Sequence, residues 1–350
     1  MPEIRIDSQS LEAFVAAIFE RAGFSAEDAS TEAHVLVWAN LRGVDSHGVL
    51  RVRQYLANIR RGGMNPHARI RVERETPAIA LVEADCAFGP VVTTYAMNLA
   101  IEKARQIGIG WVVIRNTTHQ GCMAYYPMMA VEQDMAGLAL VCNPPNMAPY
   151  GARAAGVHNS PLAIAVPAQC HDPLVLDMAT SMAAFGKVNL AQDKGIPIPE
   201  GWALDAEGNP TTDPNQARIL LPFGGYKASS LALMFETLSS VMAGNGVLTP
   251  FLVGGDKPRP GAQNSVVAAI NIAAFTEVPA FKAEIDRLIE GIKGLPTAEG
   301  FSEVLVPGEI ENRVRAERSA QGVPLPEGTV ANLREAAREL GVELPAALLP

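Results

Sequence analysis

The sequence predicts an α/β protein, with a layered strand-and-helix middle flanked by helical segments from both ends of the chain. Three observations carry this. Short apolar runs bounded by Gly, Pro or Asn recur from about residue 77, and a helical stretch separates the first two; such alternation marks an α/β layer architecture. Towards both ends the apolar residues recur instead at steps of three and four, the period of a helix with one buried face. Finally, 350 residues with 48% apolar and 19% charged content suffice for a core without disulfides or metals, because a chain of this length buries roughly 75% of its unfolded surface.

In chain order, Ser8 or Ser10 is the expected cap of a first helix. Its apolar face is Leu11, Phe14, Val15 and Ile18, and it ends at Gly23. Ser25 with Asp28 three positions on reads as a capping box that opens a second helix through Val35, Trp38 and Leu41. After a break at 43–48, a third helix is expected over 49–61, stopped by Gly62 and Gly63. Strands are expected over 78–82, 109–115, 138–143, 162–166, 174–177 and 265–274, and helices over 90–106, 229–243, 280–292 and 329–340. The pattern leaves strand directions open. The tail from Gly308 carries Arg313, Arg315 and Arg318.

Composition removes whole classes of function. With 28 Lys+Arg against 37 Asp+Glu the formal charge is −9, and no segment gathers the cations a phosphate backbone requires, which argues against nucleic acid. No apolar run reaches the roughly 18 residues of a membrane span. The start, from Met1 to Asp7, lacks the charged-then-apolar order of a signal peptide, so a cytoplasmic protein is expected. Cys86, Cys122, Cys142 and Cys170 lie far apart with no CxxC pair, which encodes neither a zinc cage nor a disulfide framework. No metal is expected, since His34 falls in an apolar helix and His67, His158 and His171 lie in turns without ligand spacing.

Four segments could carry chemistry. At the break Asp45-Ser46-His47-Gly48, His47 is followed by Arg51 and Tyr55 at steps of four, which puts all three on one helix face. An imidazole beside a fixed cation suits a substrate with a carboxylate next to a reducible carbon. The plain alternative is a surface helix start capped by Ser46. The second segment, Asn116 to Gly121 with His119, follows a strand, where ligands of α/β sheets bind; the alternative is an ordinary turn. Cys122 lies three residues after His119, so a thiol nucleophile stands against the blander reading of a small buried thiol.

In the third segment, Leu176 to Met182, Asp177 needs a partner, for which a histidine is suited. Thr180 and Ser181 are expected at a helix start whose N–H groups suit a phosphate, or form a cap with no ligand. The fourth, Pro222 to Ser229, fails the spacing of an ATP-binding P-loop, although its glycine turn and Lys227 could touch a ligand phosphate. No GxGxxG occurs, so an ordinary Rossmann dinucleotide fingerprint is absent.

Taken together, these segments resemble the malate/L-lactate dehydrogenase family of the non-Rossmann, sulfolactate dehydrogenase-like type. Its members include ureidoglycolate dehydrogenase, diketogulonate reductase and the piperideine- and pyrroline-2-carboxylate reductases. The resemblance runs through Arg42 to Gly48 with Arg51 and Tyr55, Asn116 to Gly121 with Tyr125 and Tyr126, Asn143 to Gly151 and Asn159 to Pro167. It continues through Asp177 to Lys187, Pro222 to Gly244, and Pro307, Gly308 and Glu309 with Arg313. Gln120, Ala124, the stretch His158 to Pro161, and Ala228 depart from the usual family residues.

The resemblance implies a three-layer α/β/α fold with a large mixed sheet. It also implies a helical dimerisation domain from 1–75 with 280–350, an α/β cofactor-binding domain over 76–279, and a homodimer. It implies His47 as acid/base with Asp177 orienting or charging it, Ser46 and Arg51 holding the substrate carboxylate, and His119 as a second candidate for the proton. Cofactor contacts are implied at Asn143, Leu176, Asp177, Met178, Ala179, Thr180, Ser181, Met182, Tyr226, Lys227, Gly308, Glu309 and Ile310. The implied cofactor is NAD(P)H, with NADH or NADPH open; Lys187, Lys194 and Arg313 are the cations available to an extra ribose phosphate. The implied reaction transfers hydride to the carbon beside a carboxylate, taking a 2-oxo acid to a 2-hydroxy acid. Reduction of a cyclic imine carboxylate is the alternative, and a cofactor-binding relative without turnover belongs to a different class.

Overall fold

The computed structural model describes residues 4–349, the side chain of Asp193 apart; the expectation placed on the first residues lies partly outside that range. The chain opens with β1 (Ile4–Ile6), α1 (Ser8–Arg21), α2 (Ala26–Leu41), two short 3-10 turns (Asp45–His47 and Val49–Arg51) and α3 (Val52–Arg60). The middle contains β2 (Arg71–Glu75), β3 (Ile79–Glu83), α4 (Gly89–Ile107), β4 (Ile109–Thr117), α5 (Tyr125–Val131), β5 (Met135–Cys142), β6 (Leu162–Val166) and β7 (Leu174–Met178). There follow α6 (Phe185–Lys194), the short β8 (Ala203–Leu204), β9 (Pro210–Thr211) and β10 (Ile219–Leu220), then α7 (Tyr226–Glu236), α8 (Thr249–Leu252) and β11 (Gln263–Asn271). The chain closes with α9 (Val278–Lys293), α10 (Glu309–Gln321), β12 (Val323–Leu325) and α11 (Glu327–Leu340).

The two ends of the chain meet. β1 pairs antiparallel with β12, Ile4 opposite Leu325 and Ile6 opposite Val323. Leu11, Phe14, Val15 and Ile18, the apolar face read from sequence, are buried with Tyr55, Met64, Val330 and Leu333 in one core. Burying each large apolar side chain contributes about 1.5–3 kcal/mol. Arg53 and Arg60 of α3 pair with Glu335 and Glu339 of α11 around its rim.

The central sheet has seven strands in the order β2-β3-β4-β11-β5-β6-β7. Only β3 and β4 run parallel, joined by the crossover helix α4; the other neighbours are antiparallel. The sheet is therefore mixed, as the family resemblance implied. β11 arrives late in the chain and inserts between β4 and β5. Helices α4 and α5 cover one face, burying Val92, Met97 and Ala100 against Val112, Ile114 and Val267. Gly110 permits this approach, because a Cβ there would stand 2.0 Å from the Ala100 carbonyl oxygen. Phe235 of α7 packs with Val113, Leu140 and Val266 in a separate cluster.

Several local expectations change. Asp7, not Ser8 or Ser10, caps α1: its carboxylate accepts the Ser10 N–H at 2.9 Å, the extended residue being the one whose side chain can reach back. Ser25 caps α2 as read. The third helix begins only at Val52, because Gly48 is extended (ψ −156°) and splits the segment. Strand β2, with the sequence Arg-Val-Glu-Arg-Glu, was not anticipated; it is a largely exposed edge strand, where charge guards against further pairing and erases the apolar signal. Helix α10 buries no side chain completely, so it offers no apolar period to read.

Candidate active site

The residues singled out from sequence converge on a cavity of about 750 Å³, within the range that holds small ligands and cofactors. Its first wall is the pair of 3-10 turns after α2. Asn40 shapes them: its Oδ1 accepts the Val49 N–H at 2.8 Å and its Nδ2 donates to Asp45 at 2.6 Å. From α10, Arg318 donates to both carboxylate oxygens of Asp45 at 2.7 and 3.0 Å. Gly48 is required, since a Cβ would fall 2.2 Å from Asn40 Oδ1. Ser46 Oγ lies 2.9 Å from His47 Nδ1. Arg51 donates from Nε to the Ser46 carbonyl and from Nη1 to Gln54, both at 2.7 Å, which fixes the plane of its guanidinium.

The second wall is the loop after β4. Thr118 anchors it to the start of α4 through the Ala87 carbonyl and the Gly89 N–H, at 2.9 and 3.1 Å. The His119 ring lies nearly parallel to that of His47, 5.4 Å away and inclined by 21°. Its Nδ1 stands 2.6 Å from the Tyr55 hydroxyl and accepts the Gly121 N–H at 3.2 Å. Three residues of one sequence stretch thus serve the site differently: His47 and Arg51 line the cavity, while Tyr55 stands behind His119.

Burial first, and then the Arg51 charge, push His47 down to about 4. Burial also holds His119 well below its ordinary value, with Arg51, His47 and His158 adding to it, and lowers His158 to about 3. The cavity therefore presents neutral imidazoles at pH 7. Asp177 opens toward the cavity space but is enclosed by its walls, and this enclosure lifts its carboxyl to about 6.

Asp177, expected as the partner of His47, makes its hydrogen bonds elsewhere. Asp177 Oδ2 accepts the Ala124 N–H at 2.9 Å and the Cys122 thiol at 3.3 Å. The carboxylate is captured by the backbone just beyond His119, whereas His47 bonds to Ser46. Cys122 is buried and its thiol is pushed well above the ordinary range, so it is a protonated donor and not a nucleophile.

The third wall combines β7 with the segment before α10. Val175 donates its N–H to the Pro307 carbonyl at 3.1 Å. Gly308, at φ +88°, lies so close that a Cβ would meet Val175 Cβ at 3.0 Å. Asn143, Leu176, Asp177, Met178, Ala179, Gly308 and Ile310 line the cavity. Thr180, Ser181, Met182, Tyr226, Lys227 and Glu309 lie outside its lining. The first two are not at a helix start: α6 begins at Phe185, the Thr180 N–H donates to Asn159 and the Ser181 hydroxyl to Ala183. Glu309 is held by Lys293 at 2.6 Å and by Arg313. Tyr226 is exposed and meets Tyr150 edge-on.

Of the cations considered for a ribose phosphate, Lys187 lines the cavity, Lys194 is exposed, and Arg313 is taken by Glu303 and Glu309. Gln120 is buried, and its amide donates to Thr93 and Ser265 at 2.5 and 2.8 Å, inside the fold. Arg42 was not singled out alone, although it opens the His47 motif. It is 3% exposed, lies over the Trp38 ring and donates to Asn312, and its Nη1 has no hydrogen-bond partner among the described residues.

The fold and the cavity bring two imidazoles, a guanidinium and a carboxylate to one lining. The malate/L-lactate dehydrogenase family model matches residues 6–334, and the chain belongs to that family. It is 38% identical to the L-sulfolactate dehydrogenase of Methanocaldococcus jannaschii over 93% of this chain and 94% of that protein. The solved sulfolactate dehydrogenase structure from the same organism superposes with a TM-score of 0.86 over 97% of this chain and 98% of that one, at 36% identity. The malate dehydrogenase of Pyrococcus abyssi is 36% identical over 97% of this chain and 96% of its own. A delta1-piperideine-2-carboxylate reductase structure from Pseudomonas syringae is more distant, at 28% identity and TM-score 0.82 over 95% of this chain and 99% of that one. The chain is accordingly an NAD(P)-dependent dehydrogenase of the 2-hydroxy acid type.

Proposed function

We propose that the cavity interconverts a small 2-oxo acid and its 2-hydroxy acid, with Arg51 and Ser46 receiving the carboxylate and His47 handling the proton. The observation that carries this reading is the placement of His47, His119 and Arg51 in the lining of one cavity. The residues present fit a nicotinamide cofactor: Gly308 keeps the third wall free of a side chain, and the cavity is large enough for such a ligand. Asn143, Leu176 to Ala179, Gly308 and Ile310 are the contacts this geometry supports. When bound, a reduced nicotinamide supplies hydride to the substrate carbon.

His47 supplies the proton in the reducing direction and accepts it in the oxidising one, where its neutral form is the working base. Arg51, held in plane by Ser46 and Gln54, orients the carboxylate and contributes by positioning. A carboxylate on Arg51 also offsets the charge that depresses His47, which moves the imidazole toward the protonated form that reduction needs.

A cytoplasmic homodimer organised around the end-built helical unit (1–75 with 280–350) and the α/β unit (76–279) belongs to the same reading. The β1–β12 pairing supports the first unit, and four free thiols suit a reducing compartment. The chain exposes 16,862 Å², above the about 13,600 Å² expected of a monomer of its mass. Met242, Leu252, Val253 and Phe275 are among its exposed apolar side chains; a second copy would cover such surface.

The test is loss of reduced-nicotinamide absorbance, with NADH or NADPH, against pyruvate, oxaloacetate, sulfopyruvate, diketogulonate and the two cyclic imine carboxylates. Turnover on one oxo acid names the substrate branch and the cofactor together. Turnover on the imines alone would replace the oxo-acid reading with the reductase one. Silence without cofactor binding would sink both.

A further inference from the structure

We propose that Tyr55 and the backbone N–H of Gly121 lock His119 in the tautomer protonated on Nε2, making His119 a fixed hydrogen-bond donor to the substrate oxygen and leaving proton transfer to His47. The inference deepens the oxidoreductase reading above and rests on it. It decides between two histidines that the sequence leaves equivalent.

The argument is one of donors and acceptors. A backbone N–H can only donate, so Gly121, 3.2 Å from His119 Nδ1, requires a lone pair on that nitrogen. The Tyr55 hydroxyl, 2.6 Å from the same atom, can donate or accept. Were Nδ1 protonated, the Gly121 N–H would face another N–H, and the Tyr55 hydrogen would have no acceptor in its place. Glu32, the carboxyl whose charge acts on Tyr55, makes no side-chain hydrogen bond among the described residues. Tyr55 is fully buried, so water does not take that hydrogen either. Two buried donors would stand unsatisfied, an arrangement folded proteins avoid. With the lone pair on Nδ1, both are satisfied at once, and a neutral imidazole then carries its proton on Nε2.

Orientation gives the proton its direction. Tyr55 packs in the helical core against Phe19 and Phe88 and is not part of the cavity wall, whereas His119 is. The Nδ1 edge of the ring therefore faces the protein interior, and the Nε2 edge is what the cavity meets. Burial, with the neighbouring Arg51 and His47, keeps the ring neutral. In reduction the substrate carbon gains the hydride, the oxygen gains a proton from His47, and His119 donates a hydrogen bond to that oxygen while keeping its own proton. Tyr55 is a positioning residue, acting through His119.

The first test needs no substrate. Full-length protein labelled with ¹⁵N-histidine is recorded by long-range ¹H–¹⁵N correlation near pH 7.5, with the His119 signals assigned by their loss in His119→Gln. The expected spectrum shows Nε2 protonated and Nδ1 bare; a protonated Nδ1 overturns the proposal, whatever the substrate panel shows. Tyr55→Phe, folded by circular dichroism, is expected to move His119 toward a tautomer mixture, and an unchanged spectrum removes Tyr55 from the role. In kinetics, His119→Ala is expected to lower kcat about 10²–10³-fold, the loss typical of one donor aimed at a developing oxyanion. His119→Gln, whose amide N–H can stand in for Nε2–H, is expected to recover at least about tenfold of that, with the acid limb of the pH profile kept. A Gln variant as inactive as the Ala variant and lacking that limb would make His119 the base.

Discussion

Arg318, near the end of α10, grips both carboxylate oxygens of Asp45, at 2.7 and 3.0 Å, across 273 residues of chain. The same guanidinium donates to the Asn40 carbonyl. Asn40 in turn braces Asp45 and Val49 on either side of His47. The acid/base candidate thus stands on a turn whose shape is held from the far end of the sequence.

Arg318→Ala is expected to cut turnover about ten- to a hundredfold, as small misplacements of a reacting group do. Cofactor affinity should change little. Arg318→Lys should fall between, because an ammonium cannot reproduce the two-pronged contact. Stopped-flow turnover beside a fluorescence titration of NAD(P)H separates the two effects. Wild-type turnover in the Ala variant would mean that the turn holds its shape unaided.

With His47 as the proposed base, its surroundings set the expected pH dependence. Its folded-state value of about 4 lies below the ordinary 6.5, so oxidation of a hydroxy acid, which uses the neutral base, should keep its kcat/KM down through pH 6 and fall only on approach to 4. Removing the Arg51 charge should move that fall to higher pH, because that charge is the second cause of the depression. The stability contribution has the same sign: it is full above about 6.5 and lost as pH drops to 4. His47→Ala is expected to abolish most turnover while binding cofactor normally. A midpoint near 6.5 in the wild type would contradict the buried, Arg51-facing position.

Glu32 should destabilise the fold at high pH. It is fully buried, and its carboxylate oxygens have no partner among the described residues. Burial raises its pKa well above 4.5. The folded state therefore keeps a proton that the unfolded state releases above about 4.5, and stability falls as pH rises through that region and beyond. Glu32→Gln keeps the shape without the charge. Urea melts at pH 5 and 8 should show the Gln variant gaining over wild type at pH 8, and gaining less at pH 5. An equal difference at both values would show that Glu32 titrates normally.

What the sequence alone determined is local. The buried face Leu11, Phe14, Val15 and Ile18, the Ser25 cap and the apolar runs that became β3 to β7 are all written in nearest-neighbour chemistry: helix period, capping geometry and strand alternation act over a few residues. The family was equally legible, because ordered motifs such as Arg42 to Gly48 and Asn116 to Gly121 survive as strings. The steps from His47 to Arg51 to Tyr55 also picked out three residues of one site, though Gly48 breaks the helix that the spacing assumed.

Tertiary structure decided the rest, and for one physical reason: hydrogen bonds and burial depend on atoms brought together by the fold from distant positions. Asp177 was expected to serve His47, but the donors that meet its carboxylate are Ala124 and Cys122, from the loop after His119. Thr180 and Ser181 looked like a helix start, yet Asn159 and Ala183 claim their polar groups. Strand β2 and helix α10 lack an apolar period because neighbours and ion pairs hold them. The roles of the two histidines were equivalent as letters. They part only where Tyr55 and Gly121 meet His119, and Ser46 and Arg51 meet His47.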